Sequence, residues 1–322
     1  MSGNGAPPHD PIAYVSRDRA TSGRWIAALS GAMPGERVVP FAEMDAGERA
    51  RVRLAVVTDP DPADLAALPA LEWVHSTWAG VERMVAELPP ALPIVRMTDP
   101  RLAEVMGEAV LATVLWWHRG GFAYAARQRD REWHPEAYRA AGERRIGILG
   151  LGALGLESAR RLVANGFAVT GWSRAQRPPD AGLAIETAHG LEGLEAVIAG
   201  SDALVVLLPL TDATRGLLDA ERLGRMREGS LLVNFARGPI IDERALVRAL
   251  DRGRPAHALL DVFATEPLPP DHPFWSHPRV TVWPHVSGPT DPASASALIA
   301  TRVALWRRTG EVPEAVDRTR GY

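Results

Sequence analysis

The segment Arg145-Ile-Gly-Ile-Leu-Gly-Leu-Gly-Ala-Leu-Gly155 constrains the chain most, because it joins a short apolar run to three glycines at the spacing G-x-G-x-x-G: Gly150, Gly152 and Gly155. Ile146 to Leu149 reads as a buried strand, and Leu154 to Asn165, with Ala159, Leu162 and Val163 on one face, reads as the helix after it. Gly150 permits the sharp turn, Gly152 lets the backbone approach a pyrophosphate, and Gly155 lets helix and strand pack closely. The free N–H groups at the start of this helix face the phosphates, with Ala153 and Leu154 between the last two glycines counted in the cofactor site. An isolated glycine triplet has an ordinary strand-to-helix turn as its alternative; here the strand before and the helix after favour a dinucleotide site.

Apolar runs alternate with helical patterns on both sides of this segment. Expected strands at 12–16, 37–41, 53–58, 71–76 and 94–97 are interleaved with helices at 25–33, 63–68 and 81–88. Strands separated by helices imply a parallel sheet with right-handed crossovers. With 322 residues the chain has room for two cores. The expected fold class is therefore α/β in two lobes: a substrate/catalytic domain of residues 12–100 and 290–322, and a dinucleotide-binding domain of residues 101–289. The Gly/Pro-rich stretch 1–11 is expected to be disordered. Arg101 to His118 is strongly apolar and is expected to be buried between domains or subunits, ending at Gly120-Gly121. Phe122 to Glu143 is polar with Tyr124, Trp133 and Tyr138 among it, and reads either as an arm over a partner subunit or as a long connection.

After the glycines, strands are expected at 167–172, 203–208, 230–235, 257–261 and 280–283, with a capped helix at 243–250 and a last helix at 292–309 that returns to the first lobe. An enzyme that hydrogen-bonds the ribose of NAD carries Asp or Glu at the end of the second strand. Here Ser173 and Arg174 stand at that point, with Arg177 nearby, a set suited to the 2′-phosphate of NADP(H). Solvated loop arginines are the alternative reading. Leu208-Pro209 and Ala236 end their strands where the cofactor crevice is expected.

Absences narrow the chemistry. There is no cysteine, and all 36 basic residues are arginine. Thiol nucleophiles, Cys-ligated metals, Schiff-base lysines and the P-loop lysine are excluded. A net charge of −3 offers no general attraction to nucleic acid or an anionic membrane, no apolar run is long enough to span one, and no metal site is expected. Cytoplasm is the expected location.

Reducing a ketone by hydride transfer needs a cation that holds and polarises the substrate and an acid that protonates the developing alkoxide. Arg237 suits the first task, because its fork stays charged and binds two oxygens. His285 suits the second, and Glu266 beside it favours the imidazolium. Taken singly, each has a structural alternative: a strand-end charge, a loop acid, a turn histidine.

The combination resembles the D-isomer-specific 2-hydroxyacid dehydrogenases, most closely their glyoxylate/hydroxypyruvate reductase A branch. The resemblance is carried by Gly150-Leu-Gly-Ala-Leu-Gly155, Asn234-Phe-Ala-Arg-Gly238, Leu260-Asp-Val-Phe-Ala-Thr-Glu-Pro-Leu-Pro269, His277-Pro-Arg-Val280, Pro284-His-Val286 and Val316-Asp-Arg-Thr-Arg-Gly-Tyr322. It implies a flavodoxin-like catalytic lobe beside a Rossmann lobe, and a homodimer built on the cofactor domain. It assigns Arg237, Glu266 and His285 as catalytic, and Trp78, Ala79 and Gly80 with Arg237 as the substrate contacts, the carboxylate being held by backbone N–H groups. Pro209 and Thr214 line the cofactor, Asp261 meets the nicotinamide amide, and Leu208, Ala236, His285 and Ser287 complete that set. Trp172-Ser-Arg174 resembles the NADPH-preferring branch. Departures are Trp283 in place of a small residue before Pro-His, Ser287-Gly288 in place of an Ala pair, and Ala109 in place of an aromatic; Trp78 and Trp283 are expected to reshape the pocket. The expected function is NADPH-preferring reduction of a small 2-ketoacid to the D-2-hydroxyacid. Two alternatives remain at this point, a dinucleotide-sensing protein like the corepressors of the same fold and a reductase for another anionic substrate.

Overall fold

In the computed structural model, residues 9–176 and 182–318 are described, and they divide into two compact units, residues 9–101 with 290–318, and residues 102–176 with 182–289. The first unit contains β1 (Ile12–Ser16), α1 (Arg19–Ala32), β2 (Val38–Pro40), α2 (Ala46–Arg49), β3 (Leu54–Thr58), α3 (Pro62–Ala66), β4 (Trp73–Ser76), α4 (Glu82–Glu87) and β5 (Ile94–Val95). All pairings are parallel, in the order β2-β1-β3-β4-β5, the flavodoxin-like order. Alternate strand residues go to opposite faces. Ile12, Tyr14, Leu54 and Val56 therefore meet one apolar layer, Ala13, Val15, Ala55 and Val57 the other.

The second unit follows α5 (Pro100–His118) with α6 (Gly121–Asp130), β6 (Arg145–Leu149), α7 (Ala153–Ala164), β7 (Ala168–Ser173), β8 (Glu186–His189), α8 (Gly190–Gly200), β9 (Ala203–Val206), α9 (Ala220–Arg225), β10 (Leu231–Asn234), α10 (Glu243–Asp251), β11 (His257–Leu260) and β12 (Val280–Val282). Its seven parallel strands run β12-β11-β10-β9-β6-β7-β8. The direction of winding reverses between β6 and β9, and ligands of open α/β sheets bind at the carboxyl ends of such a switch point. Met106, Val110 and Val114 of α5 pack with Ala159 and Leu162 of α7 on one face, while Leu194, Leu223 and Leu246 of α8 to α10 cover the other. The last helix, α11 (Pro292–Thr309), packs on the first unit through Ile299, Val303 and Trp306, beside Trp25 and Leu29 of α1. Asp291 caps its N-terminus, accepting from Ala293 and Ser294.

Besides the short helices α2 and α9, two segments differ from the sequence expectation. The stretch after Gly120-Gly121 starts with the helix α6 instead of a connection; Gly120, at φ 75°, reverses the chain and Gly121 sits against the Trp116 indole, so α5 stops and a new helix starts at once. The residues between β7 and β9 form a further strand–helix pair, β8 and α8. Glu186-Thr-Ala-His189 is an edge strand with three exposed side chains and lacks the apolar alternation by which a strand is recognised. Arg177, and the ends of the chain at 1–8 and 319–322, lie outside the described residues. Among the described residues no helix is long and apolar enough to cross a membrane.

Candidate active site

The glycine turn has the form that its sequence demands. Gly150 adopts φ 108°, and a Cβ there would lie 2.7 Å from the Leu207 carbonyl oxygen at the end of β9. A Cβ on Gly155 would come within 1.9 Å of the Gly150 oxygen, so α7 packs onto the turn only because residue 155 is glycine. Above Gly152, which is the N-cap of α7, a Cβ would meet nothing within 4 Å. The space a ligand phosphate needs is therefore open, and the first amides of α7 have no acceptor within the helix. A dinucleotide fits this cradle.

Neighbouring strand ends shape its rim. Thr214 Oγ1 donates to the Pro209 carbonyl at 2.7 Å and accepts from the Thr211 amide at 2.8 Å, folding the loop after β9 in which Leu208 is buried. At the end of β7, Ser173 Oγ donates to the Ala175 carbonyl at 2.8 Å and Arg174 is exposed. Ser173 is the register partner of His189 at the end of β8.

On the other side of the switch point three loops converge. Buried Asn234 ends β10, its Oδ1 accepting from the Ala236 amide at 3.1 Å and its Nδ2 donating to the Arg237 carbonyl at 3.0 Å. This turn presents Arg237, half-buried. Next to it, a Cβ on Gly238 would stand 1.9 Å from the Phe263 carbonyl carbon. The loop after β11 therefore crosses directly over residue 238, which sets Glu266 in the field of Arg237. Glu266 Oε1 accepts from the Phe263 amide at 2.9 Å, and Glu243 of α10 braces the same loop by accepting from Ala264 at 2.9 Å.

His285 closes the set, with Nδ1 at 2.8 Å from Glu266 Oε2. The side chain is half exposed, with Nδ1 occupied by the carboxylate. The hydrogen bond to Glu266 raises the pKa of His285 above its ordinary value, against the opposing effects of burial and the Arg237 charge. Burial pushes Glu266 up, but the bonds from His285 and Phe263, with the nearby charges, leave it below the usual carboxylate value. The pair favours an imidazolium beside a carboxylate.

His285 adopts φ 55°, a left-handed conformation uncommon for a residue other than glycine. What holds it there is Asp261, wholly buried at the end of β11. The Asp261 carbonyl accepts from the His285 amide at 2.9 Å, its Oδ1 from Val286 at 2.7 Å, and its Oδ2 from the Ser287 amide and hydroxyl at 3.0 and 2.5 Å. The resemblance leads one to expect Asp261 against the nicotinamide amide; here its carboxylate is engaged by the histidine loop. Trp283 stacks on Phe235, with ring centroids 5.4 Å apart, and joins the apolar layer of α5.

In the first unit, the turn after β4 carries Trp78, Ala79 and Gly80. The Trp78 amide donates to Ser76 Oγ at 2.9 Å, and its carbonyl accepts from Met97 at 3.0 Å. Trp78 is exposed. Roles for Asn234, Glu243 and Gly238 are absent from the sequence reading: Asn234 and Gly238 lie inside the motif around Arg237, whereas nothing local marks Glu243.

Residues 111–287 match the D-isomer specific 2-hydroxyacid dehydrogenase NAD binding domain. The chain is 34% identical over 306 residues to glyoxylate/hydroxypyruvate reductase A of Yersinia enterocolitica, covering 93% of this chain and 96% of that protein. A D-isomer specific 2-hydroxyacid dehydrogenase from Xanthobacter autotrophicus Py2, solved with NADPH and MES, superposes with TM-score 0.89 at 37% identity, covering 98% of this chain and all of that one. The NADPH-dependent glyoxylate/hydroxypyruvate reductase of Sinorhizobium meliloti, solved with NADP and sulfate, gives TM-score 0.87 at 32% identity over 97% of this chain and 100% of its own.

Proposed function

The chain belongs to the D-isomer-specific 2-hydroxyacid dehydrogenases, and we propose that within this family it reduces a small 2-ketoacid of the glyoxylate or hydroxypyruvate type to the D-2-hydroxyacid, with NADPH preferred over NADH. The observation that carries the reading is the Glu266–His285 pair, held at 2.8 Å beside Arg237 at the carboxyl edge of a dinucleotide-binding sheet.

Gly150, Gly152, Ala153, Leu154 and Gly155 hold the pyrophosphate, Ser173 and Arg174 take the 2′-phosphate, and Leu208, Pro209, Thr214 and Ala236 line the rest. When bound, the nicotinamide supplies a hydride to the keto carbon. Arg237 binds the substrate oxygens through its fork and stabilises the charge that grows on the former carbonyl. His285 Nε2 delivers the proton to that oxygen, and Glu266 holds Nδ1–H, fixing ring orientation and stabilising the charged form. Asp261 and Ser287 act one step back, by fixing the loop that carries His285. Ala79 and Gly80 offer backbone N–H groups to the substrate carboxylate, and Trp78 of the same turn is a further substrate contact.

We also propose that the active form is a homodimer in the cytoplasm. Support comes from the second unit: Trp133 is fully exposed on an arm in which every residue from 131 to 140 is exposed, and Tyr138 and Trp116 are also exposed. Tyr138 also lines a cavity of about 430 Å³ together with Trp117, Phe122 and Arg144. Bare aromatic side chains on an exposed arm match surface buried between subunits. The test of the catalytic reading is NADPH and NADH oxidation, followed by absorbance, with glyoxylate, hydroxypyruvate, pyruvate and phenylpyruvate. Saturable turnover with NADPH supports it, and no turnover despite tight NADPH binding refutes it.

A further inference from the structure

Arg302, near the middle of α11, makes contacts that no catalytic role requires. Its guanidinium reaches His75 Nε2 at 2.9 Å, the Arg96 carbonyl at 3.0 Å and Thr98 Oγ1 at 2.6 Å. His75 is wholly buried at the penultimate position of β4, and its Nδ1 lies 2.9 Å from the Ser76 carbonyl. A carbonyl only accepts, so Nδ1 carries the proton and Nε2 is left as an acceptor, the role that a guanidinium donor needs. Burial first, and then the Arg302 charge, lower the His75 pKa to about 4, which keeps the ring neutral.

These bonds surround one short turn. His75 precedes Ser76, whose hydroxyl accepts from Trp78, and the segment Arg96–Thr98 flanks Met97, whose amide donates to the Trp78 carbonyl. Thr77 is anchored below by the Val57 carbonyl and the Thr58 hydroxyl. Arg302 thus ties together the two strand ends that hold Trp78 at both its amide and its carbonyl. The Trp78 carbonyl shares its planar peptide with the Ala79 N–H, so the direction of that N–H, and the entry of the chain to Gly80, is set from these two ends.

We propose that Arg302, with neutral His75 as its acceptor, is a positioning residue that sets the Ser76–Gly80 turn to receive the substrate's carboxylate. The inference rests on the proposed 2-ketoacid reduction. Arg302 touches neither substrate nor cofactor; its effect is on substrate affinity. A group that fixes only the carboxylate turn raises KM for every 2-ketoacid while leaving NADPH affinity in place, because no bond in this set reaches the second unit's glycine turn.

The test compares Arg302→Met and Arg302→Lys with the native enzyme. For Arg302→Met the expected result is a rise in KM for the best 2-ketoacid of about tenfold, the loss of one charge-assisted contact. The NADPH Kd, measured by fluorescence titration, is expected to stay unchanged and kcat to fall by less than about threefold on the same scale. Arg302→Lys, which keeps a donor, is expected to recover part of the KM. Where Arg302→Met does not fold, His75→Phe removes the acceptor and is expected to raise KM in the same way without moving the NADPH Kd. Folded variants with native KM, or a parallel loss of NADPH binding and kcat, overturn the proposal. A native enzyme that turns over no 2-ketoacid overturns the underlying reading instead.

Discussion

Glu266 Oε2 lies 2.8 Å from His285 Nδ1, although 19 residues separate the two, and each moves the other's ionisation in the direction that keeps the imidazolium. Reduction needs that proton, so activity declines as pH rises through the raised His285 pKa. Glu266→Gln removes the charge that raises it, and the basic limb of the kcat/KM profile for reduction is expected to move to lower pH, with kcat down about 10²-fold. His285→Gln is expected to lose about 10³-fold or more in kcat while still binding NADPH. Both are read by steady-state rates across pH and by cofactor titration.

Asp261 takes four hydrogen bonds from the loop of His285, counting the one to its backbone carbonyl. In Asp261→Asn an amide NH₂ faces the Val286 amide or the donors of Ser287, so one buried donor pair is set against another. The expected cost is about 2–4 kcal/mol of stability, read by denaturant unfolding, together with a drop in kcat as residue 285 leaves its φ of 55°.

Arg174 stands at the end of β7, where a carboxylate would repel a 2′-phosphate. Arg174→Ala is expected to lower the NADPH-over-NADH ratio of kcat/KM about tenfold or more, the magnitude of one charge-assisted contact. An unchanged ratio would remove Arg174 from the cofactor site.

Acid stability depends on histidines that the fold keeps neutral: buried His75 and partly buried His257, with buried His118 shifted in the same direction. His75 and His257 are each lowered from 6.5 to about 4, chiefly by burial, with Arg302 and His277 adding to the shifts respectively. Between those values the unfolded chain binds protons that the folded one refuses. Their contribution is complete above pH 6.5 and is lost as pH falls toward 4, at up to about 1.4 kcal/mol per pH unit for each group. His285 shifts the other way, so its contribution is fully present below pH 6.5 and is lost only as pH rises through its raised pKa. Unfolding midpoints measured from pH 7.5 to about 4.5 are expected to fall, and His257→Gln to flatten the slope.

Trp133 is the most exposed large apolar side chain described. For Trp133→Ala, sedimentation is expected to show a shift from dimer toward monomer, with Kd weakened about 10²-fold, as for the truncation of a central aromatic anchor. A native monomer at micromolar concentration would refute the dimer.

The sequence made the strand–glycine–helix unit legible because its requirements are local: a strand of apolar residues, a turn that only glycine makes, a helix that packs on it. The identities of Arg237, Glu266 and His285 were legible for a different reason, the fixed motifs around each. Less was visible where the pattern is weak. The polar edge strand Glu186–His189 carries no alternation, and α6 has too thin an apolar stripe to stand out from a connection.

What the sequence by itself determined is the α/β alternation, the dinucleotide turn and the set of chemically competent side chains, since each is written in neighbouring residues. Only the tertiary structure decided how they act together. The approach of Gly238 to Phe263, the capture of the histidine loop by Asp261 and the reach of Arg302 to His75, 227 residues away, depend on strand order and on which loops cross. A contact between distant residues is fixed by the packing of the sheet that carries both, and no local pattern encodes it.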